Sequence, residues 1–139
     1  MLDASILIAD DNVDAAESLA LLLRARGARV AVAHDGEQAL RLFSEQPADI
    51  AILDLGMPCV DGLEVARQLS HAHPRPYLLA LTGRGRKEDR ADSLRAGFDE
   101  HLTKPVDPRW LMERLRGVQA QRVLRKNSQR SLSPGIVSG

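Results

Sequence analysis

The chain has 139 residues, 19 acidic and 19 basic side chains and 44% hydrophobic residues, enough for one domain with a sizeable core. Aromatic residues make up only 3%, which argues against base-stacking surfaces, and a single cysteine, Cys59, excludes an internal disulfide and suits a reducing compartment. No apolar run approaches the length of a bilayer span and no signal-peptide pattern opens the chain, so a soluble cytoplasmic domain is expected.

Taken in order, short apolar runs alternate with amphipathic ones. "SILIA" (5–9), "ARVAVA" (28–33), "DIAILD" (49–54), "PYLLALT" (76–82) and "EHLT" (100–103) read as five strands. Several are almost wholly apolar, as parallel strands covered on both faces are. A first helix over 13–26 places Ala16, Leu19 and Leu23 on one stripe and stops at Gly27, a C-terminal cap. A second over 36–46 carries Ala39, Leu40 and Phe43, and a third over 62–71 carries Leu63, Ala66 and Leu69. The fourth, 87–96, carries Ala91 and Leu94; the fifth starts at Pro108, a favoured first-turn proline, and carries Leu111, Leu115 and Val118. Strand and helix alternating five times predict an α/β fold, a five-stranded parallel sheet with right-handed crossovers, doubly wound, with helices on both faces. The domain is expected to occupy residues 1–120, with 121–139 a helix extension and then, from about Asn127, a loose tail rich in Ser, Gly and Pro.

In such a sheet ligands sit at the carboxyl ends of the strands. The first strand ends at Asp10 and Asp11, the third at Asp54, the fourth at Thr82 and Gly83, and the fifth at Lys104 and Pro105. Two carboxylates about 4 Å apart repel by roughly 4 kcal/mol at an effective dielectric near 20, so three on one rim require a cation. A small hard divalent ion such as Mg²⁺, which takes oxygen ligands, answers that need. The alternative for the pair alone is that Asp10 or Asp11 caps the following helix. A lysine ammonium suits one phosphoryl oxygen and a threonine hydroxyl another, which makes the set a kit for phosphoryl transfer to a carboxylate.

On "IADDN" (8–12), "ILDLGMPCVDG" (52–62), "ALTG" (80–83) and "KP" (104–105), each at a strand's end and in this order, the chain resembles the receiver domain of two-component response regulators over residues 5 to about 120. The resemblance implies the flavodoxin-like strand order 2-1-3-4-5. It implies that Asp54 accepts a phosphoryl group from a phosphohistidine on a histidine kinase or histidine phosphotransfer protein. Asp11, Asp54 and the main-chain carbonyl of Gly56 would bind Mg²⁺, with Asp10 acting through water. Lys104 would pair with Asp54 and then with the phosphoryl group; Thr82 would swing toward that group and the side chain at 101 would follow inward from an exposed resting pose. It further implies a cis Lys104–Pro105 bond, and an output carried by a population shift of the fourth-helix, fifth-strand and fifth-helix surface, through which a dimer is one arrangement allowed. Such a domain is no enzyme toward other molecules, taking part only in its own phosphorylation and hydrolysis.

Some features stand apart from that pattern. Position 101, often tyrosine or phenylalanine in the family, is His101, which read plainly is an amphipathic surface residue. Gly56 offers no side chain to place an attacking water. Cys59 has no basic neighbour and reads as inert, and Arg84, Arg86 and Lys87 read as solvated loop charges. From Asp107 onward seven basic residues face two acidic ones, a local +5 that reads as a solvated helix face; no zinc-finger or RNA-binding signature supports direct nucleic-acid contact. A phosphatase of the haloacid-dehalogenase class would need a second acid where Gly56 stands. A mononucleotide binder would need a Gly/Ser/Thr-rich loop where Asp10 and Asp11 stand. The sequence names neither kinase nor downstream partner, and is consistent with a stand-alone messenger or a receiver cut from a longer chain such as a hybrid kinase.

Overall fold

The computed structural model describes residues 1–57, 62–83 and 96–138. Five parallel strands, β1 (Ser5–Ala9), β2 (Arg29–Ala33), β3 (Ile50–Asp54), β4 (Tyr77–Thr82) and β5 (Glu100–Thr103), form one sheet in the order β2-β1-β3-β4-β5. Helices α1 (Val13–Ala25), α2 (Gly36–Glu45), α3 (Gly62–Leu69) and a C-terminal helix (Pro108–Ser138) accompany it. This is the doubly wound α/β fold expected, in the flavodoxin-like order. The helix expected over 87–96 lies outside the described residues except for Ala96, as do Cys59, Arg84, Arg86 and Lys87.

The near-continuous apolar strands serve two cores at once, because successive side chains leave opposite faces of a sheet. Ile6, Ile8, Ile50, Ile52, Leu79 and Leu81 pack with Ala16, Ala20 and Leu23 of α1 and with Leu111, Leu115 and Val118 of the C-terminal helix. Their neighbours Leu7, Ala9, Ala51, Leu53, Leu78 and Ala80 pack with Phe43 of α2, with Val65 and Leu69 of α3, and with Phe98. Among the described residues the buried polar side chains, Asp10, Asp54 and Thr82, all stand at the carboxyl rim of the sheet.

The starts of α1 and α2 are placed by their caps. The Asn12 side chain accepts from the Ala15 amide at 3.1 Å to begin α1, and Asp35 does the same for Gln38 to begin α2. α1 ends where Gly27 adopts φ +102°, the left-handed turn the sequence predicts there. The C-terminal helix departs from expectation. It continues to Ser138, whereas a loose tail was expected from about Asn127. Residues 120–132 are mostly Ala, Gln, Arg, Leu and Lys, which favour helix, and the turn-forming Pro134–Gly135 pair comes only near the end.

Gly62, the first residue of α3, lets the helix start against the end of β3. A Cβ there would lie 2.5 Å from the Asp54 carbonyl oxygen and 3.1 Å from its carbon. Gly62→Ala is therefore expected to destabilise the fold by about 1–3 kcal/mol in urea denaturation, since the clash is with backbone. A loss below about 0.5 kcal/mol would show that the segment before α3 yields freely.

Candidate functional site

The first strand delivers Asp10 and Asp11 to the rim, the third Asp54, and the segment after β5 sends Lys104 back across the strand ends. Ligand oxygens of Asp10, Asp11 and Asp54 all lie within 4.8 Å of one another. Asp10 and Asp54 are buried, at 4% and 8% exposure, while Asp11 faces solvent. The Lys104 ammonium donates to Asp10 Oδ2 at 3.1 Å and to Asp54 Oδ2 at 3.2 Å. The other oxygen of each buried carboxylate takes a main-chain amide: Asn12 N to Asp10 Oδ1 at 3.0 Å, and Gly56 N to Asp54 Oδ1 at 2.9 Å. The Lys104–Pro105 peptide bond is cis, and the Lys104 amide bonds the Thr82 carbonyl at 2.7 Å, so the ammonium's root is tied to β4.

Capping does not account for the acidic pair, because α1 is capped by Asn12. Asp10 and Asp11 are left crowding Asp54 across the strand ends. The electrostatic consequence is visible at Asp10. Burial holds its carboxyl above the ordinary range; the Asn12 amide and Lys104 pull it back in part, and Asp54 pushes it further up. Lys104 moves the other way for a cation. Burial alone would lower it, but the hydrogen bond to Asp10 and the charges of Asp54 and Asp10 prevail and hold the ammonium above its usual value.

Thr82 and His101 also meet. β4 and β5 run in parallel register with Ala80 beside His101 and Thr82 beside Thr103, so Thr82 and His101 share a face as diagonal neighbours. Thr82 Oγ1 and His101 Nε2 are 2.9 Å apart, with Thr82 buried and the imidazole half-buried. The exposed resting pose expected for His101 is thus not what the structure has; a polar partner on the adjacent strand draws the ring in.

These elements match a known family. The family model described as the response regulator receiver domain matches residues 6–116. The chain belongs to that family.

Over 113 residues this receiver domain is 39% identical to the transcriptional regulatory protein CpxR of Escherichia coli (strain K12), covering 81% of this chain and 48% of that protein. It is also 39% identical over 117 residues to an uncharacterized 14.6 kDa protein in the sodA1 3′ region of Leptolyngbya boryana, covering 82% of this chain and 86% of that one. Among solved structures, the receiver domain of a signal transduction histidine kinase from Syntrophus aciditrophicus superposes with a TM-score of 0.78 at 28% identity, covering 85% of this chain and 91% of that one. A response regulator from Chloroflexus aurantiacus gives 0.77 at 30% identity, covering 84% and 98%. The chain spans about half the length of curated relatives such as CpxR. It is a regulatory receiver domain of two-component signalling, and among its described residues no helix is long and apolar enough to cross a membrane.

The sequence pointed to every carboxylate of the cluster and to Lys104. It did not show that Lys104 bridges Asp10 as well as Asp54, nor that Thr82 and His101 are bonded. The latter depends on the register of β4 and β5, which sets Ala80 beside His101 and so puts 82 and 101 on one face.

Because burial dominates at Asp10, removing its charge should help the fold when no cation is supplied. In chelator at pH 7, Asp10→Asn is expected to melt above the natural sequence. A carboxyl whose folded pKa is raised contributes stability that is full below its unfolded pKa and is lost as pH rises through the folded one. The difference between the two proteins should therefore narrow on acidification toward the carboxylate range. An Asp10→Asn protein that melts lower at pH 7 would mean that Lys104 alone balances the cluster.

Proposed function

We propose that Asp54 is the phospho-acceptor and that a histidine kinase or histidine phosphotransfer protein supplies the phosphoryl group. The observation that carries this reading is Asp54 itself. It is a buried carboxylate at a strand's end, fixed by the Gly56 amide on one oxygen and Lys104 on the other, within reach of two further carboxylates.

Receiver domains generally bind Mg²⁺ at an acidic pocket, and the residues here fit it: the donors are all oxygen, they converge, and their summed charge exceeds what one lysine offsets. Asp11, Asp54 and the Gly56 carbonyl would hold the ion, with Asp10 beside them. When bound, Mg²⁺ supplies positive charge to the oxygens of the transferring group. The chain's own side chains do the rest. An Asp54 carboxylate oxygen attacks phosphorus, the phosphorus–nitrogen bond to the donor imidazole breaks, and the ring, already protonated on its other nitrogen, leaves with that electron pair as neutral imidazole. Lys104, already 3.2 Å from Asp54, is placed to neutralise a phosphoryl oxygen, and the Thr82 hydroxyl lies on the neighbouring strand to bond another. Positioning and charge carry the catalysis, as in phosphoryl transfer generally.

The output then lies in a change of population at the surface built from β5, the C-terminal helix and the segment between β4 and β5. Its downstream partner is a protein, with no direct role in nucleic-acid or membrane binding, and the chain acts either alone or within a longer regulator or hybrid kinase.

Incubation with a small acyl-phosphate donor and Mg²⁺ is expected to add one phosphoryl group by intact mass, lost with chelator and absent in Asp54→Ala. Equal labelling of that variant would move the acceptor elsewhere. A second expectation concerns decay of the phospho-form. A Cβ at Gly56 would sit 3.6 Å from Asp54 Oδ1, an ordinary contact, so a side chain fits there facing the carboxylate. Gly56→Asn should place a water by its amide and shorten the lifetime in a phosphate-release assay. An unchanged decay rate would assign the water to other groups.

A further inference from the structure

His34 stands outside the acidic cluster, yet its ring reaches the chain that carries it. It follows the last residue of β2, and its main chain is set by the start of α2. The His34 amide donates to Gln38 Oε1 at 2.8 Å, and the Gln38 amide to Asp35 Oδ1 at 2.7 Å. Asp10 lies beside it just past β1, where its own amide donates to the Ala33 carbonyl at 3.0 Å. A ladder continued one step further would bring the Asp35 amide to the Asp10 carbonyl. The chain turns into α2 at Asp35 instead, and His34 Nδ1 is the group found 3.3 Å from that carbonyl oxygen. A carbonyl only accepts, so Nδ1 carries the proton, and it remains a donor in the cationic ring too.

We propose that His34 is a positioning residue for the metal site: by holding the Asp10 carbonyl from β2, it fixes the plane of the Asp10–Asp11 peptide and so the direction in which Asp11 presents its carboxylate. This rests on the reading of Asp11 as a Mg²⁺ ligand. Of the three carboxylates, Asp11 is the one that needs such help. Asp10 and Asp54 are buried, and each is held through both oxygens, by Lys104 and by a main-chain amide. Asp11 faces solvent, and among the described residues no hydrogen bond holds its carboxylate. Its place is therefore inherited from the backbone. On the far side that backbone is fixed where Asn12 caps α1. On the near side the peptide is planar, so a grip on the Asp10 carbonyl also orients the Asp11 amide and Cα. The other ring nitrogen, Nε2, stands 4.0 Å from Glu17 Oε1, so the imidazole spans from β2 to the first turns of α1.

The test titrates the full chain with Mg²⁺ alone and follows the amide shifts by NMR. At 3.3 Å the bond is a long one, so its loss amounts to roughly a two- to fivefold change in an equilibrium. His34→Leu is expected to weaken Mg²⁺ binding by that factor. His34→Asn, whose amide nitrogen can stand where Nδ1 does, should match the natural sequence. A role in folding alone would lower the melting temperature in chelator and leave the Mg²⁺ affinity of the folded protein unchanged. Without metal, the order parameter of the Asp11 amide should fall in His34→Leu and be restored in His34→Asn. Independently, ¹⁵N NMR of the imidazole should show Nδ1 protonated in the natural protein. The inference is overturned if His34→Leu binds Mg²⁺ as tightly as the natural sequence, or if His34→Asn binds it as weakly as His34→Leu. It is equally overturned if the Asp11 amide is as ordered in His34→Leu as in the natural protein, or if Nδ1 lacks the proton. Should His34→Leu fail to fold, His34→Ala and the ¹⁵N spectrum decide the matter. Asp11→Asn tells two failures apart. Unchanged Mg²⁺ binding in that variant overturns the reading of Asp11 as a ligand and this inference with it, whereas a loss there beside none in His34→Leu overturns the inference alone.

Discussion

Three carboxylates share the carboxyl rim of this sheet with one lysine that touches two of them, and the repulsion among them is the constraint on which the rest of the site depends. Oxygens of Asp10, Asp11 and Asp54 lie within 4.8 Å of one another, and the Lys104 ammonium bridges Asp10 and Asp54. At such separations a pair of like charges costs roughly 4 kcal/mol at an effective dielectric near 20, comparable with much of a small domain's net stability. At Asp10 burial, and to a lesser degree the neighbouring Asp54, hold the carboxyl above its ordinary range despite an ammonium and an amide in contact with it. A fold tolerates this where the repulsion is useful, and a receiver domain uses it to gather a cation around an acceptor.

The fold supplies the precision. Two aliphatic cores clamp β1, β3 and β4 from both faces, so the ends of those strands have little freedom to separate and relieve the crowding. Gly62 brings α3 up against the Asp54 carbonyl, and the Lys104 amide is bonded to the Thr82 carbonyl. Asp54, Thr82 and Lys104 are thus carried on or just after adjacent strands of one sheet.

Much of this was legible in the sequence because its signals are local. Runs such as "AILDL" announce a strand buried on both faces, Gly27 announces a left-handed helix end, and a carboxylate at the last strand position announces the rim. What was not legible depends on register and reach. The Lys104 side chain could have met Asp54 alone; that it also meets Asp10 follows from the order β1-β3-β4-β5, which brings both carboxylates under one ammonium. The pairing of Thr82 with His101 follows from the Ala80–His101 register, which spacing along the chain does not fix. The helix runs on to Ser138, in keeping with the helix propensity of residues 120–132, where the Ser, Gly and Pro content over 127–139 had suggested a loose tail.

The most direct measurement of the central claim is the position of the cation itself. Mn²⁺ can stand in for Mg²⁺, and its paramagnetism broadens amide signals close to it in an NMR spectrum. Broadening should centre on Asp11, Asn12, Leu55 and Gly56 at the ends of β1 and β3, be competed by Mg²⁺, and spare Ser5 and Asp49 at the opposite edge of the sheet. Broadening centred elsewhere, or none that Mg²⁺ competes, would contradict the account that the crowded carboxylates exist to hold a cation beside Asp54.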